Sequence, residues 1–417
     1  MKKLILIFSI SCLCSQFIIA QNDNYLSRDS LLQDLIFLYE KALEIHPDPF
    51  MNISHDLFKQ KKDSICNIIN NKETIGSFYF KVSSLLATLK DGHTSVIMPK
   101  FESSRNLRYG NRIFPLEVEM NNNKIYSTYD YFNKDVISGE IISINNILAD
   151  SIIGKILSAV PYDKYPDINY NTIEKNFFMF LNELYGADSI YQIGYKDIPD
   201  KYTTWGLSYE KLLKLDKYSV IPEHYKFCIN ESKDYAYLKF DNFYPNEKIY
   251  KFIDSTFNML DKKYIDTLCI DIRGNAGGSS DIIVKILSNL TNKEFKIYDS
   301  IQVKISKYTK DLYKKKDKSF YLQISNENEG NIVSIIPHFI SFKNSNVYSG
   351  KLIVITDKRT YSGAATFAHL VKTMNLGEVL NETGGCNTYF GDYAINTLPY
   401  TKLKFSIASK KFFEWKP

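Results

Sequence analysis

The stretch Thr267-Leu268-Cys269-Ile270-Asp271-Ile272-Arg273-Gly274-Asn275-Ala276-Gly277-Gly278-Ser279-Ser280 decides the fold. Its opening run, Thr267 to Ile272, has the near-continuous apolar character of a strand buried on both faces. The glycine-rich turn that follows leaves several backbone N–H groups without partners, and a helix is expected from about Ser280 to Leu290. A turn of this kind can bind an anion, either a phosphate or the oxyanion of an acyl-transfer intermediate. The Lys-Ser/Thr ending of a P-loop is missing. A tight turn packed closely on a neighbour is the competing reading.

Outward from this stretch, strands and helices alternate. Tyr235 to Phe240 reads as a strand, and Glu247 to Leu260 as a helix with Ile249, Phe252, Ile253, Phe257 and Leu260 inward. Leu352 to Thr356 is another apolar strand, and a helix runs from Ser362 to Lys372. Alternation of this kind predicts an α/β fold, a largely parallel sheet with covering helices. Ser362 opens its helix just beyond the strand and the loop Asp357-Lys358-Arg359-Thr360-Tyr361. Small residues after it let a substrate carbonyl approach, and the helix N-terminus favours developing negative charge. Serine is equally at home there as an N-cap, and the local sequence supports both roles.

Upstream, residues 30–45 form an amphipathic helix, with Ser30 and Gln33 as a capping box and Leu32, Leu35, Ile36, Tyr39 and Leu43 on one face. His46-Pro47-Asp48-Pro49 stops it. A second helix is expected near residues 55–70. A third runs from about Thr74 to Lys90, with Phe78, Val82, Leu85, Leu86 and Leu89 at helical spacing. Asp91-Gly92 ends this helix and His93 follows on the turn. One histidine at a helix end is more often structural than catalytic. His369 competes as a general base, but it lies two turns into the Ser362 helix, ~10 Å away, too far for proton transfer. His46, His55, His224 and His338 have no comparable context. No HExxH or other metal pattern occurs, so metal catalysis is not expected.

Between these regions, short strands over 114–119, 124–127 and 139–146, with a helix-like stretch from Leu148 to Val160, predict a β-rich module. Lys and Arg number 52 against 47 Asp and Glu, so the net charge of +5 is small. No basic stripe with interleaved aromatics suggests nucleic acid, and Lys314-Lys315-Lys316 reads as a solvated loop. Lys2 and Lys3 followed by the apolar Leu4 to Leu13 have the order of a signal peptide, with Ala20 before the cut. Cleaved export is expected, to the periplasm or cell envelope; a retained N-terminal anchor is the second reading. Cys66, Cys228, Cys269 and Cys386 remain after residue 20, with no CxxC pair. Cys269 reads as a small core residue.

Three segments together, Leu89 to Thr94, Asp271 to Gly278 and Ser362, resemble the tail-specific (C-terminal processing) peptidase family. The family pattern runs from "L-x-D-x-H-T" through "D-x-R-x-N-x-G-G" to a serine opening a helix, then a "T-x-G" turn, here Thr383-Gly384-Gly385. The resemblance implies a crotonase/Clp-protease-like α/β catalytic core over residues 225–417. It also implies a PDZ-like module over 105–215, carried by Gly139 to Asn146, after a helical domain over 25–100 and a signal peptide over 1–20. The Ser–Lys branch carries a lysine where this chain has Cys386. A histidine base in the position of His93 is similar to the tricorn-like branch, which has a serine where this chain has Gly92.

The resemblance thus implies an exported serine endopeptidase acting on peptides or proteins, without cofactor. Ser362 would be the nucleophile and His93 its general base. The N–H groups of Gly363 and of Gly277 or Gly278 would hold the oxyanion. Two alternatives stand beside it: a retired binding protein like the family's retinoid-binding relatives, and an esterase. In tricorn-like relatives a glutamate beyond the nucleophile supports the histidine. Here Glu414 is the residue available, close to a chain end expected to be poorly ordered, and the sequence is expected to be a fragment or a variant lacking the element that supplies this group.

Overall fold

The computed structural model describes residues 26–99, 112–163, 165–208, 210–211, 224–230, 232, 234–381 and 389–417. The expected signal peptide and the Thr383-Gly384-Gly385-Cys386 turn lie outside the described residues.

The chain opens with three helices, α1 (Arg28–Ile45), α2 (His55–Ile68) and α3 (Ile75–Ala87). The first differs from the expected face. Its N-cap is Ser27, whose side chain accepts from the Ser30 amide, and the buried residues are Leu31, Asp34, Leu35, Leu38, Ala42 and Ile45. Asp34 is inside because its carboxylate accepts the amides of Tyr400 and Thr401 at 2.9 and 2.7 Å. That rotates the inward stripe away from Ile36, which is exposed. Helix α3 buries Phe78, Val82, Leu85 and Leu86 as expected, and Leu89 beyond its end is buried too. The turn after it delivers His93 immediately before strand β1 (Ser95–Val96).

A middle region follows: β2 (Arg112–Ile113), β3 (Leu116–Asn121), β4 (Lys124–Asp130), β5 (Gly139–Ile144), β6 (Ile147–Leu148), α4 (Ala149–Ala159), α5 (Tyr170–Tyr185), β7 (Ile190–Tyr195), β8 (Ile198–Trp205) and β9 (Leu207–Ser208). Its main sheet is antiparallel in the order β3-β4-β5-β7-β8, with β6 paired to β5. The division expected near residue 100 is not a break in packing. Leu35 and Phe78 share one apolar core with Ile125, Ile193 and Phe177, and Phe405 and Ile407 from the far end of the chain join it.

The remainder comprises β10 (Tyr225–Asn230), β11 (Tyr235–Phe240), α6 (Glu247–Lys263), β12 (Thr267–Asp271), α7 (Ser280–Leu287), β13 (Tyr298–Lys304), α8 (Lys307–Lys316), α9 (Lys318–Ile324), β14 (Ile332–Ile335), β15 (Lys351–Ile355), α10 (Gly363–Thr373), β16 (Glu378–Leu380), β17 (Phe390–Thr397) and β18 (Lys404–Glu414). The expected parallel sheet is β11-β12-β15-β16, with β10 added antiparallel at one edge. Its core holds Leu238, Leu268, Ile270, Ile283, Val354 and Phe367. Lys314-Lys315-Lys316 is the last turn of α8 rather than a loop, where positive charge suits the helix C-terminus. Cys269 is half-buried rather than fully in the core.

The sequence reading did not anticipate a second sheet, antiparallel, with the order β1-β18-β13-β14 and β17 also on β18. Its long strand β18 pairs with β1 next to His93. Trp415 beyond it is buried, so the frayed end expected for the last residues is absent.

Candidate active site

Strands β12 and β15 are adjacent and in register, Asp271 opposite Ile355, so the turns after them emerge side by side. Each is built by a carboxylate. Asp271 is buried and accepts from the Arg273 amide at 3.0 Å, from its guanidinium at 2.6 Å and from the Tyr237 hydroxyl. Burial raises its pKa, but the bonds from Arg273 and Tyr237 outweigh it and hold the carboxyl below its ordinary range. Asp357 accepts from the amides of Gly274 and Arg359 at 2.9 and 3.0 Å, which ties the two turns together.

The glycines are there for space. A side chain at Gly277, where φ is +98°, would come within 2.7 Å of the Gly363 nitrogen and the Ser362 Cβ. At Gly278 it would strike the Phe243 backbone. The glycine turn therefore lies against the turn carrying Ser362 at backbone distance.

Ser362 precedes α10 with φ 52° and ψ −129°, a conformation costly for a residue with a Cβ, and its side chain makes no capping hydrogen bond. The N-cap reading thus fails locally. The hydroxyl instead lies 3.1 Å from His93 Nε2, a contact between residues 269 apart in the chain. His369 is turned elsewhere, 3.1 Å from the Trp415 carbonyl.

The Gly277 amide donates to Asn275 Oδ1 at 2.8 Å, so of the two alternative glycine donors Gly277 is engaged. The Gly278 and Gly363 amides have no acceptor among the described residues. Gly363 is the first residue of α10, where an amide has no partner within its helix.

The sequence reading missed the groups around His93. Asp91, fully buried, accepts the His93 amide at 2.9 Å and faces the ring of His46, whose Nε2 is 3.2 Å away. Asp48 donates its amide to His46 Nδ1 at 3.1 Å, so Nε2 carries the proton and donates to Asp91. Burial pushes Asp91 up, but His46 and His93 more than compensate, and it stays ionised well below the ordinary range. Its Oδ1 stands 3.8 Å from His93 Nδ1, an ion-pair separation rather than a hydrogen bond. The hydrogen bond at Nδ1 is made by the Tyr361 hydroxyl at 3.0 Å, and the two rings stack with centroids 5.0 Å apart. Glu414 is exposed at the end of β18, opposite Tyr298.

Asp163, in the loop after α4, lies beside the Tyr361 hydroxyl and Gly92. Burial and the Asp91 charge push its pKa up to about 6. Burial and the charges of Asp163 and Asp91 hold the Tyr361 phenol well above its ordinary range. Tyr361 directly precedes Ser362 in the chain. Asp163 carries no motif.

The fold has counterparts. Residues 234–407 match the model of Peptidase family S41. Mature CPAF superposes with a TM-score of 0.60 at 12% identity, over 93% of this chain and 91% of CPAF. CPAF complexed with lactacystin gives 0.63 at 12% identity, over 93% and 92%. A CPAF point mutant gives 0.65 at 10% identity, over 92% and 89%. At these identities the structures share the fold. No curated protein matches the sequence. Over residues 234–407 the α/β domain is thus similar to Peptidase family S41, and the resemblance drawn from the three motifs points the same way.

Proposed function

We propose that this protein is an exported endopeptidase in which Ser362 attacks a peptide carbonyl and His93 is the base. The observation that carries the assignment is the 3.1 Å contact between His93 Nε2 and the Ser362 hydroxyl, within the reach proton transfer requires. The N-terminal charged-then-apolar order supports export.

In the first step the Ser362 Oγ–carbon bond forms as its proton passes to Nε2. The carbonyl π pair moves onto oxygen. The Gly363 and Gly278 amides are placed to receive this oxyanion, aided by the N-terminus of α10; one such donor is worth ~3 kcal/mol. Collapse breaks the C–N bond, and the proton on Nε2 leaves with the amine. Water, deprotonated by His93, then hydrolyses the acyl-enzyme.

A fluorophosphonate probe tests this reading. It should modify Ser362 in the folded protein, with loss of labelling and of peptide hydrolysis in Ser362→Ala. Labelling that survives Ser362→Ala removes the assignment, and a folded wild-type protein that neither labels nor hydrolyses is a binding protein instead.

A further inference from the structure

A histidine base works only if its other nitrogen holds a proton and the ring is kept from turning. We propose that Tyr361 and Asp163 are positioning residues that do this for His93. Its Nδ1–H donates to the Tyr361 oxygen, whose own proton points to the Asp163 carboxylate. The inference rests on the reading of Ser362 and His93 as nucleophile and base, and deepens it.

Tyr361 Oη is 3.0 Å from Nδ1 while Nε2 faces Ser362, so both ring nitrogens are engaged at once. For Nε2 to accept the serine proton, Nδ1 must be the protonated nitrogen, and Tyr361 must then accept. A phenol that accepts needs somewhere to send its own proton, and Asp163 is beside it. One Asp163 oxygen, Oδ2, is buried with no hydrogen-bond partner of standard geometry, and the other takes only a long bond of 3.5 Å from the Gly92 amide.

Gly92 completes the arrangement. A Cβ there would come within 2.6 Å of Tyr361 Oη and 3.1 Å of its ring carbon. No positive φ is required of Gly92. The glycine that stands where tricorn-like relatives carry serine therefore clears the space the phenol occupies.

The proton shifts are modest. The serine proton reaches Nε2, Nδ1 keeps its own, and Tyr361 stays neutral because burial and the two nearby carboxylates oppose its ionisation. The imidazolium faces Asp91 at 3.8 Å directly, Asp163 through Tyr361, and the Tyr393 ring from β17 at 6.1 Å.

Tyr361→Phe keeps the stacked ring and removes only the hydroxyl. In the full chain it should slow Ser362 phosphonylation by a fluorophosphonate about 10–100-fold, a share of what a general base supplies. The Nδ1–H resonance of His93 should also move or vanish in ¹⁵N-resolved spectra. Gly92→Ala, which pushes the phenol away without touching it chemically, should reproduce both effects. Wild-type labelling rates with an unmoved His93 resonance in folded Tyr361→Phe overturn the proposal. Failure of the wild-type protein to label at Ser362 overturns the underlying reading instead, so the two failures are separable. If Tyr361→Phe does not fold, Asp163→Asn decides. The amide matches the carboxylate in size but loses the charge that draws the Tyr361 proton and leaves the phenol oxygen to accept from Nδ1, and labelling as fast as wild type at pH 8 overturns the proposal.

Discussion

Ser362 and His93 meet at 3.1 Å, yet they are held by different kinds of structure. Ser362 is fixed largely by its own surroundings in the chain. Asp357 and Thr360 shape the loop just before it, and the glycine turn after the neighbouring strand props it from beneath. His93 is fixed by its own turn and by groups from three other parts of the chain. Tyr361 takes Nδ1, Ser406 donates to its carbonyl at 3.0 Å, Asp91 takes its amide, and Asp163 stands behind Tyr361. The turn carrying Ser362 is a local device set on a sheet, whereas the setting of His93 is a tertiary assembly. Substitutions near Ser362 should therefore act through backbone geometry, and those near His93 through charge and protonation.

The largest effect that would test this contrast is His93→Ala. Its hydrolysis rate should fall roughly 10²–10⁴-fold with the fold intact by circular dichroism. A variant that keeps most of its activity would mean that another group is the base.

Gly277→Ala probes the backbone side of the comparison. With φ at +98° and contacts at 2.7 Å to Ser362 and Gly363, the variant must displace the turn carrying Ser362. Activity should drop on the order of 10²-fold, the scale of a misplaced catalytic group, with a loss of roughly 1–3 kcal/mol of stability from the strained backbone. Unchanged kinetics would show that the turn has slack.

Asp163→Asn probes the charge side and should have an opposite sign in stability. With a folded pKa of about 6, above the ordinary carboxyl value near 3.9, the native protein holds this proton more tightly than the unfolded chain. Stability from this group therefore falls as pH rises from about 4 to about 6, and the penalty is fully present above that window. Thermal melts should show the variant more stable than wild type at pH 7–8, with the gain gone near pH 4. A variant less stable at every pH would mark Asp163 as a structural residue. Asp91→Asn should behave in reverse, since the Asp91 carboxyl is held low and stabilises the fold above its ordinary pKa.

The smallest effect expected is at the link between the middle region and the loop before Ser362. Arg359 grips Glu174 of α5 with two bonds of 2.9 and 3.1 Å and reaches Asn171 and the Met120 carbonyl. Glu174→Gln should cost about 1–3 kcal/mol, the range of hydrogen bonds to charged groups, read as a lower unfolding midpoint. A larger loss of activity than of stability would show that this clamp also tunes the loop carrying Ser362.

Sequence alone settled the parallel sheet, the glycine turn and the candidacy of Ser362 and His93, because each leaves a local mark: an apolar run, a glycine cluster, a helix boundary. It misjudged the α1 face because a buried aspartate answers to amides some 366 residues away, and apolar periodicity is blind to such a partner. Glu414, the residue the sequence made available to support His93, lies at the end of β18 opposite Tyr298, and the hydrogen bond at His93 Nδ1 comes from Tyr361. Pairing of β18 with β1, engagement of the Gly277 amide by Asn275, and the meeting of Asp163, Tyr361 and Gly92 were all decided by tertiary packing. A hydrogen bond or a charge acts through space at 3 to 4 Å, and separation along the chain does not report it.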